Sequence, residues 1–305
     1  MKDLKNKPKM VYILSPSYSG STLLTFLMAD HQSISTIGEL KATSMGDVKK
    51  YRCSCGELLL SCEFWKHLSG ELNGQGVNFS LENFGTHFAS DFYFINRLFS
   101  SQVKGAGYEF IRNLLINYSP VISSEFKQVL NQNNLVSKKI CEIKGGEVFL
   151  DGSKNCNRLL YFYRSGLWDV KVINLVRDEL GLLNSMRKRE KISMQVAIDK
   201  LIGIREEQKR TLNYLQKEDV FTIDYNELCK EPEKRLNQIY DFIGIDKIDA
   251  ASLMKENHHV LGNAMRLASA DEIKVDESWR RDLSEEDLSV YQPYAGKINA
   301  IVESI

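Results

Sequence analysis

No net charge is available to this sequence. The 305 residues carry 40 Lys and Arg against 40 Asp and Glu. No global field therefore draws the chain to nucleic acid or to anionic membrane, and any anion site has to be built locally. Long apolar runs are also missing: no stretch approaches the roughly 20 residues of a membrane helix. The N-terminal segment MKDLKNKPKMVYILSPS starts basic, but its apolar run stops at Ser15, too short for the apolar core of a secretion signal. That run reads as a first buried strand, and a cytoplasmic protein without a membrane span is the expectation. Cysteine is scarce. Cys53, Cys55, Cys62, Cys141, Cys156 and Cys229 are too few for a disulfide scaffold in a chain of this length. There is no internal repeat and no low-complexity tract. What remains is an ordinary globular composition, 43% hydrophobic and 26% charged, with enough chain for a substantial core.

The run MVYILS (10–15) is rich in β-formers and short, as an internal parallel strand should be. It leads through a polar loop into STLLTFLMADH, where Leu23, Leu24, Leu27 and Met28 fall at helical spacing. The same order recurs in EVFLDGSKNCNRLLYFYRSG, with a helix near Asn155 to Arg164, and in DVKVINLVRDELGLLNSMRKRE, with a strand at 170–176 and a helix from about Glu179. A further strand is expected at 219–225, followed by a helix with Pro232 in its first turn and Gly244 at its end. Strands alternating with helices predict an α/β fold, a three-layer sandwich with a central parallel sheet. Ligands of such sheets bind at the carboxyl ends of the strands, so the polar loops should converge.

Residues 41–146 break the rhythm. They read as a mostly helical insertion between the second and third strands, helical to about Gln132, inside a single domain spanning 1–305. Its aromatics, Phe84, Phe88, Phe92, Tyr93, Phe94 and Phe99, read as helix core, and its position over the sheet edge is where acceptor specificity would reside. A closing helix is expected near the C-terminus, capped by Ser284 with Asp287 three residues on, and kinked or split by Pro293.

Chemistry concentrates in SPSYSGSTLL. A strand-loop-helix of this kind turns backbone N–H groups toward an anion. Gly20 allows close approach, and the hydroxyls of Ser19, Ser21 and Thr22 add donors. The loop lacks both the first Gly and the Lys of G-x-x-x-x-G-K-[ST], which excludes a standard kinase or ATPase. A hydrolase elbow, G-x-S-x-G, is absent too. Arg177 ends a strand and Ser185 lies two helical turns further on, a guanidinium fork and a hydroxyl able to grip one phosphate together. Lys154 stands at a helix start, where a cation is unfavourable unless an anion joins it.

YSGSTLL and VINLVRDELGLLNSMRKR, in that order, resemble the sulfotransferase family that uses 3'-phosphoadenosine 5'-phosphosulfate (PAPS), in its bacterial form and close to the tyrosylprotein and carbohydrate branch. The family loop is [KR]-S-G-[ST]-T, and Tyr18 stands here in place of the cation. The resemblance implies a P-loop-like fold with Tyr18, Ser19, Gly20, Ser21 and Thr22 at the 5'-phosphosulfate and Arg177 with Ser185 at the 3'-phosphate. FTIDYNELCKEPEKRLNQIYDFIG is similar to a segment whose Tyr, here Tyr225, lies near the adenine. HHVLGNAMR resembles a part that closes over the nucleotide, which nominates Arg266 and Asn263, with Gly262 beside them. Lys154 would supply the charge Tyr18 lacks, and Glu39, in STIGEL, occupies the position of a catalytic base.

The implied reaction is in-line transfer of sulfuryl to a hydroxyl on a carbohydrate, lipid or small metabolite, with no metal. Two alternatives stand beside it. One is a non-catalytic module that binds 3'-phosphoadenosine 5'-phosphate (PAP). The other is a different P-loop-type nucleotide-dependent transferase, which would need a loop Lys and a metal-holding Asp. His31 reads as a partner for a helix end, and the loop pair His258 and His259 as solvated. CSCGELLLSCEFW leaves its own alternatives open: a zinc site completed by His67, a Cys53–Cys62 or Cys55–Cys62 bridge, or a packing feature, since a similar stretch occurs in some bacterial sulfotransferases. Homo-oligomerisation also stays open.

Overall fold

The computed structural model describes residues 7–42, 47–247, 258–259 and 273–305. Five strands form one all-parallel sheet: β1 (Lys9–Leu14), β2 (Ile34–Thr36), β3 (Val148–Asp151), β4 (Asp169–Val176) and β5 (Val220–Asp224), in spatial order β2-β3-β1-β4-β5. β1 is central, and its side chains alternate between two cores. Met10, Tyr12 and Leu14 pack on one face with Phe149 and Val172, while Val11 and Ile13 pack on the other with Leu150, Ile173 and Leu175. Burial on both faces explains why the strand reads as a continuous apolar run without polar alternation.

Twelve α-helices are described. The first, α1 (Ser21–Ala29), follows β1, and α2 (Glu63–Gly74), α3 (Tyr93–Ser100), α4 (Ala106–Tyr118) and α5 (Pro120–Lys144) lie between β2 and β3. After β3 come α6 (Cys156–Ser165), then α7 (Glu179–Glu190) and α8 (Met194–Leu212) after β4. The chain ends with α9 (Tyr225–Lys230), α10 (Pro232–Ile243), α11 (Trp279–Asp282) and α12 (Glu285–Glu303). Helices α2, α5 and α6 contribute to the core on one face of the sheet, and α1, α9 and α10 to the core on the other. Helices α7, α8 and α12 share a third core.

Several local signals act as anticipated. Pro232 opens α10 and Gly244 caps its end with a left-handed φ of 69°. Ser284 and Asp287 form a complete capping box at α12, satisfying two otherwise orphaned N–H groups. Three expectations are corrected. α12 runs unbroken through Pro293; packing of Ile298 and Ile301 against α7 and α8 holds the helix beyond the missing hydrogen bond. The helix expected to end near Gln132 continues to Lys144, where Gly145 stops it. The insertion aromatics divide: Phe84, Phe88 and Phe99 are buried, but Phe92, Tyr93 and Phe94 are exposed, because they lie at the start of the short α3, where little packs over them.

No helix among the described residues is long and apolar enough to cross a membrane.

Candidate active site

The order in which strands are added reverses beside β1, since the chain passes from β1 out to β2, back to β3, and then across to β4. Loops leaving the carboxyl ends of β1, β3 and β4 therefore flank one crevice, the place where open α/β sheets bind ligands. A cleft of about 940 Å³ lies there, lined by Tyr18, Gly20, Ser21, Thr22, Glu39, Lys154, Arg177, Ser185 and Tyr225 among others.

The loop after β1 enters α1 without a side-chain cap, so the first N–H groups of the helix face the cleft. Ser19 is fully buried, and its Oγ has no hydrogen-bond partner among the described residues. A buried hydroxyl left unpaired is costly, and Ser19 does not itself line the cleft. Gly20 has φ +88°, and a Cβ there would stand 2.3 Å from Cδ2 of Tyr225. Glycine is thus required twice, by backbone conformation and by the tyrosine ring lying against it.

Tyr225, at the start of α9, is buried with the Arg177 guanidinium 4.6 Å over its ring. The same guanidinium donates from Nη1 to the Tyr18 carbonyl at 2.8 Å. Its Nη2 donates to Oδ2 of Asp276 at 3.0 Å. Stacked, tied to the loop and only 6% exposed, Arg177 is fixed rather than free to follow solvent. Although burial alone would raise the Asp276 carboxyl, hydrogen bonds from Ser278 and Arg177 hold it below its ordinary range. Asp276 is thus an internal anion at the Arg177 fork.

On the other side of the crevice, Lys154 Nζ lies 2.5 Å from Oε1 of Glu39. The network beneath them explains why they meet. Asp151 is wholly buried and accepts from the backbone of Leu40 and Ser153 and from Nε of Arg158. Gly152 N–H donates to the Gly38 carbonyl at 2.8 Å. The β2 and β3 loops are thereby locked together, each carrying one member of the pair. Lys154 holds φ 61° and Tyr18 φ 69°, a left-handed conformation that costs a side-chain-bearing residue roughly 1 kcal/mol or more and collects at functional sites.

The residues nominated from sequence fare unequally. Tyr18, Gly20, Ser21, Thr22, Glu39, Lys154, Arg177, Ser185 and Tyr225 line the cleft together, with Ser19 buried directly behind the loop. Asn263 and Arg266, with Gly262, lie outside the described residues. Tyr18 reaches the cleft, but its phenol is raised in pKa by burial and by the neighbouring Glu190, with which it hydrogen-bonds; the side chain is turned toward α7 and away from the turn. Glu39 pairs with Lys154. His31 is structural: its Nδ1 accepts from Ser33 N–H and its Nε2 donates to the Asp246 carbonyl at 2.8 Å. The solvated reading of His258 and His259 is overturned. His259 is 1% exposed, packs against Phe26 with ring centroids 4.3 Å apart and tilted, and lines a small cavity shared with Glu39 and Lys154.

Sequence reasoning missed Lys41, Arg189 and Asp276. Lys41 lines the cleft, and burial, with the Arg158 charge, lowers its pKa. Arg189 follows Ser185 by four residues on α7 and also lines the cleft; the i,i+4 spacing was a readable signal. Asp276 had none, because its partner is 99 residues away. Cys156 lines the cleft as well, but burial pushes its thiol up to about 12, which removes it as a nucleophile.

No protein-family profile and no curated protein matches the chain. Solved structures similar to it include several sulfotransferases. The sulfotransferase domain from the curacin biosynthetic pathway is 16% identical, with a TM-score of 0.48, over 94% of this chain and 98% of that one. A Mycobacterium tuberculosis sulfotransferase is 12% identical, with a TM-score of 0.49, over 95% and 77%. A mouse sulfotransferase complexed with PAP is 10% identical, with a TM-score of 0.45, over 98% and 89%.

Proposed function

We propose that the chain is a sulfotransferase that moves the sulfuryl group of PAPS to an acceptor hydroxyl. The observation that carries this reading is that Arg177 and Ser185 share one cleft with the uncapped turn at Gly20 and with the Glu39–Lys154 pair. PAPS has two anionic ends, and the cleft offers two anion sites: turn amides with the Ser21 and Thr22 hydroxyls for the 5'-phosphosulfate, and the Arg177 fork with Ser185 for the 3'-phosphate. Arg189, one turn beyond Ser185, adds a cation on the same helix face.

In the proposed step the acceptor oxygen attacks sulfur, and the bond from sulfur to the bridging phosphate oxygen breaks. Glu39 takes the hydroxyl proton, and PAP departs with the electron pair on the former bridging oxygen, which stays on its 5'-phosphate. Lys154 neutralises that oxygen, a charge the loop itself lacks. Lys41 stands where the donor cleft meets a second cleft of about 900 Å³, whose lining is largely polar and includes Asn78, Ser80, Asn83, His87 and Gln128. Such a lining favours a polar, hydroxyl-bearing acceptor over a bare hydrocarbon.

Calorimetry with PAP tests the donor site, and incubation with labelled PAPS and a broad acceptor panel, read by mass, tests transfer. Binding followed by a product heavier by one sulfuryl group is the expected result. Absence of PAP binding would overturn the reading, and binding without transfer to any acceptor would leave a non-catalytic PAP-binding module.

A further inference from the structure

Three thiols and an imidazole converge on one point away from the cleft. Cys53, Cys55, Cys62 and His258 place all four ligand atoms within 4.8 Å of one another. Cys53 Sγ is 3.6 Å and Cys62 Sγ 3.4 Å from Nδ1 of His258, and Cys55 Sγ is 3.7 Å from Cys62 Sγ. A tetrahedral zinc ion with Zn–S of about 2.3 Å and Zn–N of about 2.05 Å has S···S edges of about 3.8 Å and S···N edges of about 3.6 Å. Three of the six edges, at 3.4, 3.6 and 3.7 Å, lie within about 0.2 Å of those lengths, and the other three are within 4.8 Å. We infer that these residues form a structural zinc site of three thiolates and one imidazole.

The surroundings are built to hold it. Arg52 and Leu58 make an antiparallel bridge, and the chain turns between them through Cys53 and Cys55, with Cys53 N–H donating to the Glu57 carbonyl at 2.9 Å. Gly56 completes that turn at φ +92°. Cys62 occupies the N-cap position of α2, beside the otherwise unpaired first N–H groups of the helix. The imidazole arrives from far along the chain. Ser54 N–H donates to the His259 carbonyl at 3.1 Å, and His259 N–H donates to Ser54 Oγ at 2.8 Å. Phe64 stacks on the His258 ring at 4.7 Å with 7° between planes. His67, the fourth ligand that proximity in sequence suggests, is exposed on α2 and does not join the cluster.

Loading one Zn²⁺ releases the three thiol protons, leaving a site of net charge −1. Its effect is to fasten residues 258 and 259 to the hairpin of residues 52–58, which sets His259 against Phe26 and beside Glu39 and Lys154. The site rests on its own geometry and is independent of the donor reading.

Metal analysis of the full chain tests it. Protein dialysed against metal-free buffer should retain about one zinc per chain by plasma mass spectrometry. Cobalt-loaded wild-type protein should show the intense visible bands of a tetrahedral thiolate site, a readout that does not depend on a variant folding. Cys62→Ser and His258→Ala should lose or weaken metal binding, whereas His67→Ala and Cys141→Ser should keep it. Wild-type protein that neither retains zinc nor takes up cobalt would overturn the inference. So would a His258→Ala protein with unchanged zinc content and cobalt spectrum, or a native mass lighter by two hydrogens, which would mark a disulfide.

Discussion

The carboxylate of Asp276 lies 3.0 Å from Nη2 of Arg177, the fork proposed to hold the 3'-phosphate. On that proposal a donor nucleotide competes with Asp276 for the guanidinium. The neutral variant Asp276→Asn should therefore bind PAP more tightly, by about fivefold, or about 1 kcal/mol, for a partly exposed pair at low salt. The gain should shrink as ionic strength rises. Calorimetry at two salt concentrations measures both, and weaker binding by the variant would show that Asp276 supports the site.

Arg177 acts through its shape as well as its charge. Lys at this position would keep one positive charge but lose the fork and the stack on Tyr225. Arg177→Lys is expected to weaken PAP binding by roughly 10- to 100-fold, through loss of a bidentate contact and its stacking. Binding of adenosine 5'-phosphosulfate, which has no 3'-phosphate, should change little. Equal losses for the two nucleotides would remove Arg177 from the 3'-phosphate role.

Lys154→Ala and Glu39→Gln should each lower kcat by about 100-fold or more, while PAP affinity falls far less. Groups that act on developing charge or on the transferred proton lose rate rather than ground-state binding. Because the two side chains touch, the double variant should lose much less than the product of the single losses. Steady-state kinetics of all three proteins decides, and unchanged turnover in Lys154→Ala would exclude it from the chemistry.

Gly20→Ala should destabilise the fold even though it adds a single methyl group. The new Cβ meets the Tyr225 ring at 2.3 Å in a backbone at φ +88°. A loss of about 2 kcal/mol or more is expected, from strain and overpacking together. Thermal melts with and without PAP read it. A melting temperature equal to wild type would mean that the turn and Tyr225 separate easily.

His87 sets an acid limit. Burial, then the Lys41 and Arg158 charges, press its pKa down to about 4, below the roughly 6.5 of an unfolded chain. The unfolded state therefore binds the proton first. This contribution to stability is complete above about pH 6.5 and fades as pH falls toward about 4. His87→Gln should flatten the decline in melting temperature across that window, and an unaltered slope would show that other groups govern it.

Much of the fold was legible from residues 10–15, 148–151 and 170–176, because inner strands of a parallel sheet must be largely apolar and their turns polar. The edge strand at 220–224 was legible from its β-forming residues. The caps of α10 and α12 were legible for a similar reason: Pro232, Gly244, Ser284 and Asp287 satisfy local backbone groups within a few residues of themselves. The Gly20 turn and the Arg177–Ser185 spacing were readable too, since each lies on one strand-to-helix unit.

Sequence alone determined the alternation of strands and helices, the polar turn at the head of α1 and the spacing of Arg177, after β4, from Ser185 on α7, all features whose energetics close over a few neighbouring residues. Only the tertiary structure decided that Lys154 pairs with Glu39, that Asp276 sits on Arg177, and that His258 joins Cys53, Cys55 and Cys62. Those partners are separated by about a hundred to two hundred residues. Which side chains meet over such distances is fixed by strand order and core packing, which local patterning does not encode.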